Sequence, residues 1–376
     1  MTAASPQGQL DFGVPDAVPE LAPRTRISVN IDGRVLDTTP VFDTYWRFAA
    51  MRQQVYEARV AGLPGPWTAD AVLRSHRFTN CFRAADRVSQ YVIREVAYGG
   101  SQRRDDLVFR ILLFKFFNKI ETWQLLVDSV GGEITVDRFD ICTWMQVLDD
   151  AFNSGRRLYS AAYVIPPPRL GAPRKHGNHL RLLQQMMDED LAGRLAETQS
   201  LEEAYLMLRR YPAIGNFLAF QFAIDLNYSV ALQFDEMDFV VAGPGARDGI
   251  RKCFGPAAAG YEERIIRYMA DSQEENFSRL GLSFNGLFGR RLQLIDCQNL
   301  FCEVDKYARI VHPNIAGISG RTRIKQRVTA VTSPISTWFP PKWGLTTKTE
   351  GCGHALVCQT NGLPISEGVK RDAAIL

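Results

Sequence analysis

From Val41 to about His312 the apolar residues recur at helical spacing, and no sustained alternation of apolar and polar residues interrupts them. Phe42, Trp46, Phe48, Val55 and Tyr56 mark one such stretch, and Leu107, Ile111, Leu112, Phe114 and Phe117 a strongly apolar one; Val136 to Ala151 reads as a further helix. A period near 3.6 over that length, with none of two, leaves helix-on-helix packing as the available core. The fold is therefore expected to be mainly α. Trp67-Thr68-Ala69-Asp70 offers a helix start, and Ser200 with Glu203 a capping box ahead of a helix over Ala204 to Arg210. Ahead of the helical span, residues 25–40 alternate around Asp32-Gly33, the signature of a small β-hairpin.

This pattern divides the chain. Residues 1–24, rich in Pro, Ala and Gln without periodicity, read as a disordered leader. A helical catalytic domain is expected over 41–316, an extended basic arm over 317–344, and a flexible tail of loop composition over 345–376. The 376 residues supply ample core, and a net charge of +3 neither demands nor excludes nucleic acid, so local clustering must decide. No apolar run approaches the roughly 20 residues of a membrane span, and the N-terminus lacks a basic-then-apolar signal, which implies a cytoplasmic protein with no membrane partner. Seven cysteines without CxxC spacing fit reduced thiols. Cys297 with Cys302, and Cys352, His354 and Cys358, lack the spacing of a zinc or iron–sulfur site, so neither metal nor cofactor is expected.

Chemistry concentrates between Tyr211 and Ile250, with a helix-hairpin-helix element over 200–250. Pro212-Ala213-Ile214-Gly215 is a tight turn in which Pro212 presets φ and Gly215 lets the backbone turn and approach a ligand. The helix that opens at Asn216 has free N–H groups and a positive dipole end, a seat for a phosphate. At its far end stand Asp235 and Asp238. An acid there can stabilise the positive charge on a sugar whose N-glycosidic bond is breaking, or orient a water. The distance in sequence from Gly215 favours Asp235; Asp238, opening the apolar run Phe239-Val240-Val241, is the other candidate. This is the layout of helix-hairpin-helix DNA glycosylases. Where strand-cutting members place a Schiff-base Lys, two residues past the hairpin glycine, this chain has Phe217, so a monofunctional enzyme is expected. Gly243 and Gly245 ahead of Arg247 offer a second phosphate seat, with a plain tight turn as the alternative.

Two acid-free basic stretches suit a phosphate backbone. Ala151 to Met187 contains Arg156, Arg157, Arg169, Arg174, Lys175 and Arg181; near the C-terminus Arg321, Arg323, Lys325 and Arg327 alternate along one side of an extended segment. Polar residues also break apolar surroundings. Asn118, Lys119 and Glu121 lie between Phe117 and Trp123, and Asn80, Arg83, Asp86 and Arg87 stand in FTNCFRAADR. They form either a structural network or the wall of a base pocket, in which Phe117 and Trp123 stack on an extruded base.

PWTADAVLRSHRFTNCFRAADRVSQYV (66–92), FKFFNKIETW (114–123), FDEMDFVVAGPGARDGI (234–250), CEVDKYAR (302–309) and FPPKWG (339–344) together resemble the α-glutamyl/putrescinyl thymine pyrophosphorylase family. That family includes the helical domain of 5-hydroxymethyluracil DNA kinases. The resemblance covers roughly residues 41 to 344 and implies a helical, glycosylase-like enzyme whose partner is double-stranded DNA carrying hypermodified pyrimidines. Some members are amino acid:DNA transferases; others are antiphage glycosylases that excise glucosylated hydroxymethylcytosine. A P-loop of the form GxxxxGK[ST] is absent from the sequence, so the kinase name is not carried over. Without a fused kinase the expectation leans to the glycosylase, with the transferase second and a non-catalytic reader of modified DNA third.

Overall fold

A computed structural model describes residues 27–162, 164–328, 335 and 337–345 of the chain. The expected leader over 1–24 and the tail beyond 345 lie outside the described residues. Strands β1 (Ser28–Ile31) and β2 (Arg34–Asp37) pair antiparallel, with Ile31 opposite Arg34. Asp32 (φ 47°) and Gly33 (φ 83°) make the turn, both with the positive φ that a two-residue hairpin demands.

Fourteen α-helices follow among the described residues. The first seven are α1 (Pro40–Val60), α2 (Ala71–Ser75), α3 (Arg87–Tyr91), α4 (Arg104–Phe117), α5 (Ile120–Val130), α6 (Ile141–Asn153) and α7 (Lys175–Asp188). Then come α8 (Leu191–Ala196), α9 (Leu201–Arg209), α10 (Asn216–Asn227), α11 (Pro244–Phe254), α12 (Glu262–Asp271), α13 (Gln273–Arg279) and α14 (Leu294–Val311). The starts are set by side chains. Thr39 accepts from the N–H of Val41 ahead of Pro40 at the first helical position, and Asp70 accepts from Leu73 at 2.7 Å. Ser200 accepts from the N–H of Glu203 at 3.1 Å, while Glu203 reaches back to the N–H of Gln199, one residue earlier than a capping box requires. The helix expected over Val136 to Ala151 is split. Val136–Arg138 is a short 3₁₀ turn, and α6 begins only at Ile141 because Asp140 caps it, accepting from the N–H of Cys142 at 3.0 Å.

One apolar core runs from Val29 in β1 to Phe339. In α1, Phe42, Tyr45, Trp46 and Phe48 are fully buried, and Trp46 meets Phe277 edge-on at 5.1 Å between ring centres. Helices α11 and α14 touch backbone to backbone at Gly249, where a Cβ would lie 2.1 Å from the carbonyl oxygen of Phe301. A buried ion pair, Lys252 to Asp305 at 3.0 Å, ties the same two helices. No helix among the described residues is long and apolar enough to cross a membrane.

Candidate functional site

Helix α10 is buried on every side, so the single carboxylate within it, Asp225, needs partners. It has two. Arg83 grips both its oxygens at 2.8 Å, in the fork geometry a guanidinium favours, and Lys115 of α4 approaches Oδ2 at 2.8 Å. Arg83 also donates to Gln221 at 3.1 Å, one helical turn earlier. Burial pushes the Asp225 carboxyl upward, but Arg83 and Lys115 together hold it below the ordinary value. Lys115 donates onward to Oδ1 of Asn118 at 3.1 Å. Asn118 ends α4 in the left-handed conformation (φ 48°, ψ 39°), which Asn tolerates better than most residues.

Past the C-terminal end of α10, Asn227 fixes the returning chain by bonding both the N–H and the carbonyl of Phe234 at 2.9 Å. Lys342 caps the same helix end. Its ammonium donates to the carbonyls of Asn227, Ser229 (2.9 Å) and Leu232 (2.8 Å). Beside it Glu236 is buried and paired with Arg290 at 2.7 Å, and the Arg290 guanidinium lies 4.2 Å from the centre of the Trp343 ring. Burial raises the Glu236 carboxyl to about 7, against the pull of Arg290. Burial likewise raises Asp86 to about 7 and Asp296 to about 6. Both are tied into backbone: Asp86 accepts from Asn80 at 2.7 Å, and Asp296 from Arg83 at 2.8 Å and Gln293 at 3.0 Å.

An open cleft of about 330 Å³ lies between the start of α3, the α4–α5 junction and residues 157–161, within the usual range of small-molecule sites. Arg87, Asn118, Lys119, Glu121, Arg157 and Ser160 are among its walls, and a neighbouring pocket of about 330 Å³ shares Lys119, Glu121 and Arg157 and adds Arg156. Asn118 therefore joins the cleft floor to the buried Lys115–Asp225–Arg83 cluster.

The residues singled out in the sequence fall into three groups. Arg87, Asn118, Lys119 and Glu121 line the cleft, whereas Asn80, Arg83 and Asp86 sit behind it in the interior network, Asn80 also bonded by Arg52. Phe117 and Trp123 are core residues; Phe117 is 2% exposed against Tyr159, and Trp123 6% exposed against Phe114. Stacking on an extruded base is not open to them, because their apolar neighbours already occupy that space. Gly215 and Asn216 are exposed at the start of α10, which has no side-chain cap. The turn itself differs from expectation. Ala213 takes the left-handed conformation (φ 64°), while Gly215 is an ordinary extended N-cap (φ −81°, ψ 176°). Gly243 and Gly245 serve packing, since a Cβ would lie 2.9 Å from the Phe217 ring and 3.0 Å from Cys302 Sγ respectively. Arg247 beyond them is exposed.

Asp235 and Asp238 are exposed on the loop after α10 and do not line the cleft. Asp235 accepts from the N–H of Met237 at 2.9 Å, and Arg267 holds the carbonyls of Met237 (2.7 Å) and Asp238 (2.9 Å). Arg174 pairs with Asp149 at 3.2 Å, and Lys175 lies 3.8 Å from the Tyr159 ring centre. Arg321, Arg323 and Lys325 are exposed on a segment held by Arg309 at the Arg323 carbonyl (3.0 Å) and by the N–H of Arg77 at the Gln326 carbonyl (3.1 Å). Lys115, Asp225, Glu236 and Arg290 escaped the sequence reading. A signal existed for Asp225, a lone acid in a helix apolar all round; Glu236, flanked by two exposed acids, had none. Among the described residues no group of three or more His, Cys, Asp or Glu is arranged to hold a metal ion.

Comparison with known proteins matches residues 39 to 317 to the family model described as 5-hmdU DNA kinase, helical domain. A curated relative, the 5-hmdU DNA kinase of Bacillus phage SP10, is 26% identical over 294 residues. The match covers 71% of this chain but 45% of that protein, so the chain spans less than half the length of the relative. No solved structure matches.

Proposed function

The chain belongs to the family of the 5-hmdU DNA kinase helical domain, and from that premise we propose that it acts on a hydroxymethylated or glucosylated pyrimidine in double-stranded DNA, releasing the base by hydrolysis of its N-glycosidic bond. The observation that carries this reading is α10, a buried helix with exposed, uncapped amides at Gly215 and Asn216 at one end and the exposed acids Asp235 and Asp238 beyond the other. Its 12 residues span about 18 Å. Backbone phosphate seats on the amides. Asp235 or Asp238 stabilises the cationic sugar and directs the attacking water. Glu236, anchored through Arg290, keeps the acid loop in register, and Phe217 leaves no amine for Schiff-base chemistry. Arg174, Lys175, Arg247, Arg321, Arg323 and Lys325 add phosphate contacts. The catalytic unit is 41–316, the basic arm 317–344, and the setting is cytoplasmic antiphage defence.

A second reading, transfer chemistry on the C5 substituent, is favoured by the name of the phage relative, a 5-hmdU DNA kinase. Duplex DNA carrying thymine, 5-hydroxymethyluracil, 5-hydroxymethylcytosine or its glucosylated form separates the two. Excision yields free base and alkali-labile sites, lost in Asp235→Asn or Asp238→Asn while DNA binding persists; transfer changes nucleoside mass with no abasic site. If neither product forms and both variants bind as wild type does, the chain reads modified DNA without altering it.

A further inference from the structure

The cleft at the α4–α5 junction contains an arrangement that the excision reading does not use. The Lys115 ammonium can only donate, so the Asn118 amide must turn its oxygen toward it and its NH₂ away. Asn118 is 3% exposed and lines the cleft, and its one side-chain hydrogen bond among the described residues is the one its Oδ1 accepts from Lys115. Ser160 accepts from the N–H of Ala162 at 3.0 Å, which leaves its hydroxyl hydrogen free to donate. Arg87 and Arg157 are exposed at the walls, and Lys119 pairs with Glu121 at 3.3 Å. Arg87, Asn118, Lys119, Arg157 and Ser160 thus offer a hydrogen or a positive charge, Glu121 is the one acid of the lining, and the Tyr159 hydroxyl is already bonded to His179 at 2.8 Å. A pyrimidine base, which presents donors and acceptors side by side, is poorly matched by such a lining. A tetrahedral oxyanion, with acceptors on all sides and negative charge, is well matched.

The geometry points to a phosphate-binding subsite, with Asn118 as a donor fixed by Lys115 and with Arg87, Arg157 and Lys119 supplying charge. The phosphate comes either from the backbone of a DNA strand or from a soluble nucleotide. Glu121 opposes occupancy by holding Lys119, and an arriving phosphate displaces it.

The full chain is titrated with inorganic phosphate, with ADP and with a short single-stranded oligodeoxynucleotide. Asn118→Gly removes the donor while keeping the left-handed conformation, and weakens binding about tenfold. Arg157→Ala, at an exposed position, weakens it as well, whereas Glu121→Gln strengthens it by releasing Lys119. If these shifts appear with phosphate and ADP, the ligand is a soluble nucleotide; if only with the oligodeoxynucleotide, it is the DNA backbone. Failure of Asn118→Gly to weaken binding, or of Glu121→Gln to strengthen it, overturns the assignment for all three probes. Absence of base release by the wild-type chain, with these shifts intact, would refute only the excision reading.

Discussion

Replacing Asp225 with Asn keeps the shape of α10 but takes from two buried cations, Arg83 and Lys115, the carboxylate that they share. Both are nearly sealed, with side chains 6% and 4% exposed, so water cannot substitute for the lost carboxylate. Removing one partner of a buried ion pair costs about 3–5 kcal/mol. At about 2.1 cal/mol/K per residue, a cooperative unit of about 300 residues unfolds with about 0.6 kcal/mol/K, so a loss of about 4 kcal/mol lowers Tm by about 6 °C. Lys115→Met is the contrasting change. It removes one cation, fills the space with a flexible apolar side chain and leaves the two-pronged Arg83–Asp225 pair intact, at an expected cost of about 1 kcal/mol and about 2 °C. In the Lys115→Met background Asp225→Asn takes the carboxylate from one cation rather than two and so costs less than it does alone. The Asp225 effect also has a pH signature. Its folded-state value is depressed, so its contribution is present above the unfolded value, about 3.9, and lost as pH falls through the folded one. Thermal melts followed by circular dichroism at neutral and acid pH measure all of this. A Tm for Asp225→Asn within about 2 °C of wild type, or equal losses in the two single variants, would refute the reasoning.

Gly249→Ala forces a methyl group to within 2.1 Å of the Phe301 carbonyl and should cost about 2–4 kcal/mol in urea unfolding, as α11 is pushed off α14. Ala213→Gly relieves a left-handed alanine and should stabilise by a few tenths to about 1 kcal/mol; a clear destabilisation contradicts the turn geometry. Gly215→Ala meets open space at an ordinary φ, so its fold should be unchanged within about 0.5 kcal/mol. A fall in DNA affinity for that variant then reports close backbone approach, and an unchanged affinity removes the hairpin from the interface. Glu236, with its value raised to about 7, favours the folded state below the unfolded value of about 4.3, and this contribution is lost as pH rises through about 7. Between pH 5 and 8 wild type should lose more stability than Glu236→Gln, and parallel pH curves would dismiss the shift.

Sequence patterning specified the elements better than it specified the site. The Asp32-Gly33 turn, the Asp70 and Ser200 caps and the paired helices around Pro212 are local features, determined by residues a few positions apart, and the helical period alone restricted the core. The ionic cluster joins Arg83, Lys115 and Asp225, which are up to 142 residues apart in the chain, and no local rule couples them. Asp235 and Asp238 drew notice because acids after a hairpin helix suit the chemistry. Whether a loop carboxylate points in or out is decided by what packs on the loop, and Arg290 and Trp343 turn Glu236 inward. Glycine accepts a left-handed position most readily, yet Ala213 takes it and Gly215 stays extended, in a turn fixed by the burial of Tyr211 and Ile214 on either side of Ala213.

The contact of Lys342 with the end of α10 bears on the order of events during synthesis. The carbonyls it caps belong to residues 110 to 115 positions earlier. Helix α10 and the acid loop therefore leave the ribosome long before their clamp, and at about 5–20 residues per second they wait several seconds in an unfinished form. Throughout that interval the chain that leads into the loop bearing Asp235 and Asp238 lacks this tether, so the end of α10 takes its held form only after residue 342 has been made.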